Sequence, residues 1–237
     1  MHQGAMAGID RETIRAFPLF AKVDDAAFED MFSKAVTRHY PAGRPVFEQG
    51  GDAREFFVLI AGRLKVTQVT EDGQQVMIRI VNPGDLFGIA KALQRTDYPG
   101  TATAAVDSAA LAWPMSYWSQ FIENSASLAV NAMQTVGQRL QESHSRIREM
   151  ATEEVERRVA HAVLRLVQQS GRKEADGIRI DFPISKQDIA EMTGTTLHTV
   201  SRILTAWEGK GLVRGGRQKL LVRDPHGLML LADGQSR

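Results

Sequence analysis

Between residues 36 and 115 glycine recurs at Gly43, Gly50, Gly51, Gly62, Gly73, Gly84, Gly88 and Gly100. The runs between these glycines are short and β-rich: EFFVLI (55–60), RLKVTQVT (63–70), QVMIRIV (75–81) and TATAAV (101–106). EDGQ (71–74) reads as a hairpin turn in which Gly73 supplies a positive φ, and AGR (61–63) reads as a second tight turn. Many short strands with regular turn signals close into a sandwich or barrel. A βαβ fold, which needs helices between its strands, is excluded; the expectation is an antiparallel β-roll.

The flanks change period. In residues 9–35, Leu19-Phe20, Phe28 and Met31-Phe32 recur at helical spacing, and Asp24 is placed to cap a helix. These helices are expected to lie as a lid on the roll. Over residues 116–150, Met133, Val136, Leu140, Ile147 and Met150 form a narrow apolar stripe among Gln138, Arg139, Glu142, Arg146 and Glu149. A narrow stripe on a long polar helix suggests a coiled-coil seam, although packing on the β-roll is the alternative. Ala151–Gln169 reads as a further helix capped by Thr152, with Glu153, Glu154 and Glu156 at its positive end. After the loop GRKEADG (171–177) comes a small α+β module ending near Asp224, and the tail ADGQSR reads as frayed. The expected fold class is therefore α+β. Residues 1–150 form a β-roll domain with a dimerisation helix over about 125–150, and residues 151–237 form a winged helix-turn-helix domain.

Composition bears on chemistry. The chain has 237 residues and a net charge of +1, divided as −2 over residues 1–150 and +3 over 151–237. Lys186–Arg223 alone carries +4. That local excess fits a small nucleic-acid footprint. There is no cysteine, which excludes disulfides, thiol catalysis and iron–sulfur clusters and fits a reducing compartment. No apolar run suits a bilayer span, and MHQGAMAGIDRE has no apolar core of a secretion signal, so the expected location is the cytoplasm with no membrane partner. GxSxG, GxxxxGK[ST], HExxH and GxGxxG after a strand are all missing, so no catalytic residue is assigned and an enzyme is not expected.

The most informative segment is SKQDIAEMTGTTLHTVSRILTAWEGKG (185–211). Ser185 with Asp188 suggests a capping box, Gly194 a tight turn, and Thr195 or Thr196 the cap of a second helix. Ile189, Ala190, Val200, Ile203 and Leu204 would face inward, with the small Ala190 allowing a close crossing. This is the helix-turn-helix arrangement. LVRGGRQKLLVRD (212–224) supplies two short strands around Gly215-Gly216, a wing. The second helix would expose Leu197, His198, Ser201 and Arg202 to a major groove. There a guanidinium can grip guanine O6 and N7, the serine and histidine can reach base edges, and Leu197 with the methyl groups of Thr196 and Thr199 can touch thymine. Thr195, Lys186, Arg214, Arg217 and Lys219 would reach phosphates. The alternative is an αα-hairpin with solvated polar residues.

With these motifs in order, the chain resembles the CRP/FNR superfamily of bacterial transcription regulators over roughly residues 15–225. PAGRPVFEQGG (41–51), FFVLIAGRLKV (56–66) and VNPGDLFG (81–88) are similar to the cyclic-nucleotide-binding pattern. DIAEMTGTTLHTVSRILTAWEGKGLV (188–213) is similar to the family's DNA-reading signature. The resemblance implies a homodimer on double-stranded DNA, an effector in the β-roll and contact with RNA polymerase. It would place an effector pocket near Gly84, Phe87, Gly88, Ile89, Thr101, Ser143 and His144. In cAMP-binding members a ribose-binding Glu follows the Phe-Gly, and an Arg-Ser pair holds the cyclic phosphate. Here Ile89 follows Phe87-Gly88, and TDYPGTATA (96–104) lacks the arginine, so cAMP is not expected as the effector. Oxygen sensing through an iron–sulfur cluster, and the Cys-dependent haem of CO sensors, need cysteines that this chain lacks.

TGTTLHTVSR is similar to the NnrR branch, which is linked to nitrogen oxides; this implies nitric oxide, carried on haem, as one candidate signal. His144, or otherwise His39, would then be the haem ligand. The other reading of His144 is a hydrated or partner-bonded residue beside the seam. No metal site is expected, since no two histidines stand at helical ligand spacing. Two functional alternatives stand beside the regulator: a cyclic-nucleotide-binding regulatory subunit, and a family member active without an effector.

Overall fold

In a computed structural model, residues 10–235 are described; the N-terminal His2 and the last two residues of the tail lie outside them. The chain divides into two compact units. One comprises residues up to Val69 together with Arg79–Gln141, and the other Thr70–Ile78 together with Glu142 onward.

The first unit holds the β-roll apart from residues 70–78, which group with the second. Strand β1 is Val36–Tyr40, β2 Pro45–Phe47, β3 Glu55–Ala61, β4 Leu64–Val69, β5 Gln75–Val81, β6 Leu86–Phe87, β7 Thr101–Ala104 and β8 Ser108–Pro114. They form two four-stranded sheets, ordered β1-β8-β3-β6 and β2-β7-β4-β5. The expected turns are present, with Gly62 at φ +86° and Gly73 at +81°. Gly62 also has no room for a side chain, since a Cβ would lie 2.2 Å from Ser108 Oγ. Residues 10–35 are not continuously helical. They form α1 (Arg11–Arg15), a 3-10 turn at Pro18–Phe20 and α2 (Asp25–Ser33), the last capped by Asp24 as expected. Leu19, Phe20, Phe28 and Met31 pack with Phe56, Leu111 and Trp113 in one apolar core. The indole of Trp113 donates to the Met31 carbonyl at 2.7 Å, fastening the lid to the sheet.

Helix α3 (Tyr117–Asn124) leads into α4 (Ala126–Thr152), a helix of 27 residues. Leu128 and Ala132 are buried in the lid core and Val136 is packed against it.

In the second unit, α5 (Val155–Ser170) starts later than the sequence suggests. Thr152 does not cap it: its hydroxyl donates to the Arg148 carbonyl inside α4, and Glu154 stands at the N-cap without a side-chain bond. Strands β9 (Gly171–Glu174), β10 (Gly177–Ile180), β11 (Val213–Gly216) and β12 (Lys219–Val222) form one sheet in the order β11-β12-β10-β9. Between them lie α6 (Lys186–Thr193) and α7 (Leu197–Gly209). Gly215 and Gly216 lie within β11, and the wing turns at Arg217-Gln218, with Gln218 at φ +56°. The module continues beyond Asp224 into α8 (Pro225–Ala232), whose Leu228 and Ala232 are buried, so the first residue of the expected frayed tail is core.

Candidate nucleic-acid interface

Local chemistry builds the α6–α7 pair. Ser185 Oγ accepts from the Asp188 amide at 3.0 Å, and Asp188 Oδ2 accepts from the Ser185 amide at 2.6 Å, closing the capping box. Gly194 at φ +60° ends α6 in the left-handed region. Thr196, rather than Thr195, caps α7, its Oγ1 accepting from the Thr199 amide at 3.1 Å. Ile189, Ala190, Val200, Ile203 and Leu204 are buried, as the inward pattern requires. Trp207 is fully buried, and its indole donates to Glu156 Oε1 at 2.8 Å, tying α7 to α5.

The opposite face of α7 is open. Leu197, His198 and Arg202 are exposed, Ser201 and Thr199 are half-buried, and Thr196 is exposed at the start. Lys186, exposed on α6, donates from Nζ to Ser201 Oγ at 3.0 Å, so these two are one polar unit. Arg214, Arg217 and Lys219 are exposed on the wing; Arg214 also pairs loosely with Asp176 at 3.3 Å. The structure thus gathers Leu197, His198, Ser201 and Arg202, the residues expected at base edges, with Thr195, Thr196, Thr199, Ser185 and Lys186 on one helix pair, and sets the wing cations on the adjoining hairpin. Sequence reasoning missed the acidic margin of this face. Glu153, Glu154 and Arg158 line a groove with Thr195, Thr199 and Arg202. Only the start of α5, displaced from its expected position, brings them there.

The expected pocket residues of the roll lie in different surroundings. Gly84 (φ +90°) abuts Phe17, since a Cβ there would lie 3.2 Å from the ring. Phe87 belongs to the roll interior with Phe57, Leu59 and Tyr98. Gly88, at φ +71°, turns the chain so that Ile89 enters the lid core instead. Thr101 Oγ1 accepts from the Gln49 amide at 3.0 Å. Ser143 and His144 are exposed on the part of α4 that belongs to the second unit.

Inside the roll, Phe47 stacks on Tyr98 with centroids 3.9 Å apart and on Phe57 at 5.9 Å, and Phe57 stacks on Phe87 at 5.1 Å. His39 is exposed on β1. His161 pairs with Glu153 at 3.1 Å. Among the described residues there is no cluster of three or more metal-ligating side chains, and no helix is long and apolar enough to cross a membrane.

On α4, Met133, Leu140, Ile147 and Met150 are exposed, with Leu140 at 55% and Ile147 at 64%. Val136 faces another way, into the lid core. The fifth exposed aliphatic of the helix is Val130.

Two family models match this chain: a cyclic nucleotide-binding domain over residues 37–125 and a Crp-like helix-turn-helix domain over 157–231. Among curated relatives, a cyclic AMP receptor protein of Thermus thermophilus is 28% identical over 211 residues, covering 89% of this chain and 94% of its own. A global nitrogen regulator of Synechocystis is 26% identical over 192 residues, covering 80% and 85%. The solved structure of FixK2 from Bradyrhizobium japonicum has the same fold, with a TM-score of 0.73 over 83% of this chain and 96% of that one, at 20% identity.

Proposed function

The chain belongs to the CRP/FNR superfamily of transcription regulators, and on that premise we propose that it reads an inverted-repeat promoter site as a homodimer through α7. Its relatives are regulators and not enzymes. The observation that carries the proposal is the two-sidedness of α7. Its apolar side is sealed by Val200, Ile203, Leu204 and Trp207, while Leu197, His198 and Arg202 stand open beside the wing cations. Arg202 takes a guanine of each half-site, and Lys186 with Ser201 positions α6 against the backbone. Pairing of two chains along α4 sets two such helices about 34 Å apart, one turn of duplex. Residues 1–150 then sense and dimerise, residues 151–237 read DNA, and exposed roll hairpins, including Glu71-Asp72, face RNA polymerase in the cytoplasm.

The effector is a small molecule other than cAMP. In support, Ile89 stands where a ribose-binding carboxylate is expected and is buried in apolar core. A haem held by His39 does not fit the roll: the interior is packed with aromatic rings, and His39 is exposed on β1. The same packing favours a second reading, in which the protein is active without any effector. Gel-shift titration on promoter fragments tests the main proposal, with binding that survives a large excess of unrelated duplex as the expected result. Loss of binding after small molecules are stripped from the purified protein would decide against the effector-free reading.

A further inference from the structure

The unpaired stripe of α4 has a fixed register. Val130, Met133, Leu140 and Ile147 are exposed apolar residues spaced by three, seven and seven. A four-three alternation, the repeat of paired helices, fills the two gaps with Gly137 and His144. Both are exposed, and a Cβ on Gly137 would meet nothing within 4 Å. His144 is therefore a core position of the stripe, bracketed one turn either way by Leu140 and Ile147. Among the described residues it has no hydrogen bond or ion pair within its own protomer.

We propose that His144 makes helix pairing, and with it DNA reading, sensitive to pH. The inference rests on the homodimer reading above. In a two-fold parallel pair, equivalent core positions face one another, so the two imidazoles meet across the axis. Neutral imidazoles pair, one donating an N–H to the bare nitrogen of the other. Two imidazolium rings have only donors and like charge. The positions that flank the seam at this level are Gln141, Ser143, Arg148 and Met150, on each helix. None is acidic, and Arg148 adds positive charge. Glu142 and Glu149 fall on the far side of the helix, and Glu149 is held by Arg165 at 2.6 Å. Arg146 points away as well, donating to the Ile78 carbonyl. No carboxylate in the seam offsets a proton on His144.

The sign follows. Two charged rings cannot pair, so at least one must be neutral, and association weakens as acid protonates both. One ring of the facing pair must shed its proton for the helices to associate in acid, so the dimer Kd is expected to rise by up to about tenfold between pH 7.5 and pH 5.5. Sedimentation velocity on the full chain across that range, beside His144→Leu, tests this. The expected result is a weakening of the wild-type dimer toward pH 5.5, and a tighter, pH-flat dimer for His144→Leu. Far-ultraviolet circular dichroism at each pH separates dissociation from unfolding. A pH-independent wild-type dimer, or equal slopes in the two proteins, overturns the role of His144 while leaving the dimer intact. A chain monomeric at pH 7.5 at all concentrations overturns the homodimer reading itself, and the inference with it.

Discussion

The Met150 side chain, at the end of α4, reaches the turn glycine of the DNA-reading module: a Cβ on Gly194 would sit 2.7 Å from Met150 Cε. Glycine is required here by the backbone, the Met150 tip being the far end of a flexible side chain that can shift. Its φ of +60° is costly for any other residue, and its bare surface makes room for the thioether tip. Gly194→Ala should destabilise the protein by about 1–2 kcal/mol, from the left-handed penalty plus the displaced methyl. Adding Met150→Ala should recover part of that loss. Chemical denaturation of the two single variants and the double variant checks the coupling; strictly additive losses would show that the contact carries no energy.

Arg202 is exposed and on the outer face of α7. Arg202→Ala should cost specific binding about 1–3 kcal/mol per half-site while preserving a salt-dependent, sequence-blind component. Anisotropy titrations on operator and scrambled duplexes at several salt concentrations measure both. Lys219→Ala, on the wing, should instead weaken binding to both duplexes alike and flatten the salt slope.

Leu140 and Met133 are exposed on the side of α4 away from the lid core, whereas Val136 packs against that core. Leu140→Asp should dissociate the dimer with little change in protomer stability, because the side chain is solvated in the single chain. Val136→Asp should instead destabilise the protomer. Light scattering and thermal melts on the two variants distinguish the two faces.

Tyr40 lies at the end of β1, where burial raises its phenol to about 12, with Arg38 pulling the other way. A raised phenol favours the folded state while it is neutral. The unfolded chain ionises near pH 10, so this contribution is intact below pH 10 and is lost between about 10 and 12. Denaturation midpoints should fall over that range more steeply for the wild type than for Tyr40→Phe, with ultraviolet absorbance following the phenolate.

What the sequence revealed depended on how local the determinants were. The capping box of Ser185 and Asp188, the Gly194 turn and a threonine cap on the next helix each act within four residues and were legible, although the cap was open between Thr195 and Thr196. So were the glycine turns of the roll. The start of α5 was not. Thr152 and the acids after it fit a helix start, but continuation of α4 takes the Thr152 hydroxyl as a donor to Arg148. The seam register escaped for a similar reason. Val136 and Gly137 are adjacent, and only packing of Val136 on the lid core shows that the free face runs through Gly137. Ile89 follows Phe87-Gly88 directly, yet the positive φ of Gly88 sends it into a different core from Phe87. Helix α8 carries little periodic signal in PHGLMLLA, and tertiary burial of Leu228 and Ala232 supplies what the pattern lacks.

The central claim is that two copies of this chain read DNA through α7. Selection of bound sequences from a pool of random duplexes, repeated with Arg202→Ala, tests it most directly. The wild type should enrich an inverted repeat whose half-sites lie about 10 base pairs apart, and the variant should lose the guanine preference in both halves. Enrichment of no motif by the wild type, or the same motif recovered by the variant, would contradict it.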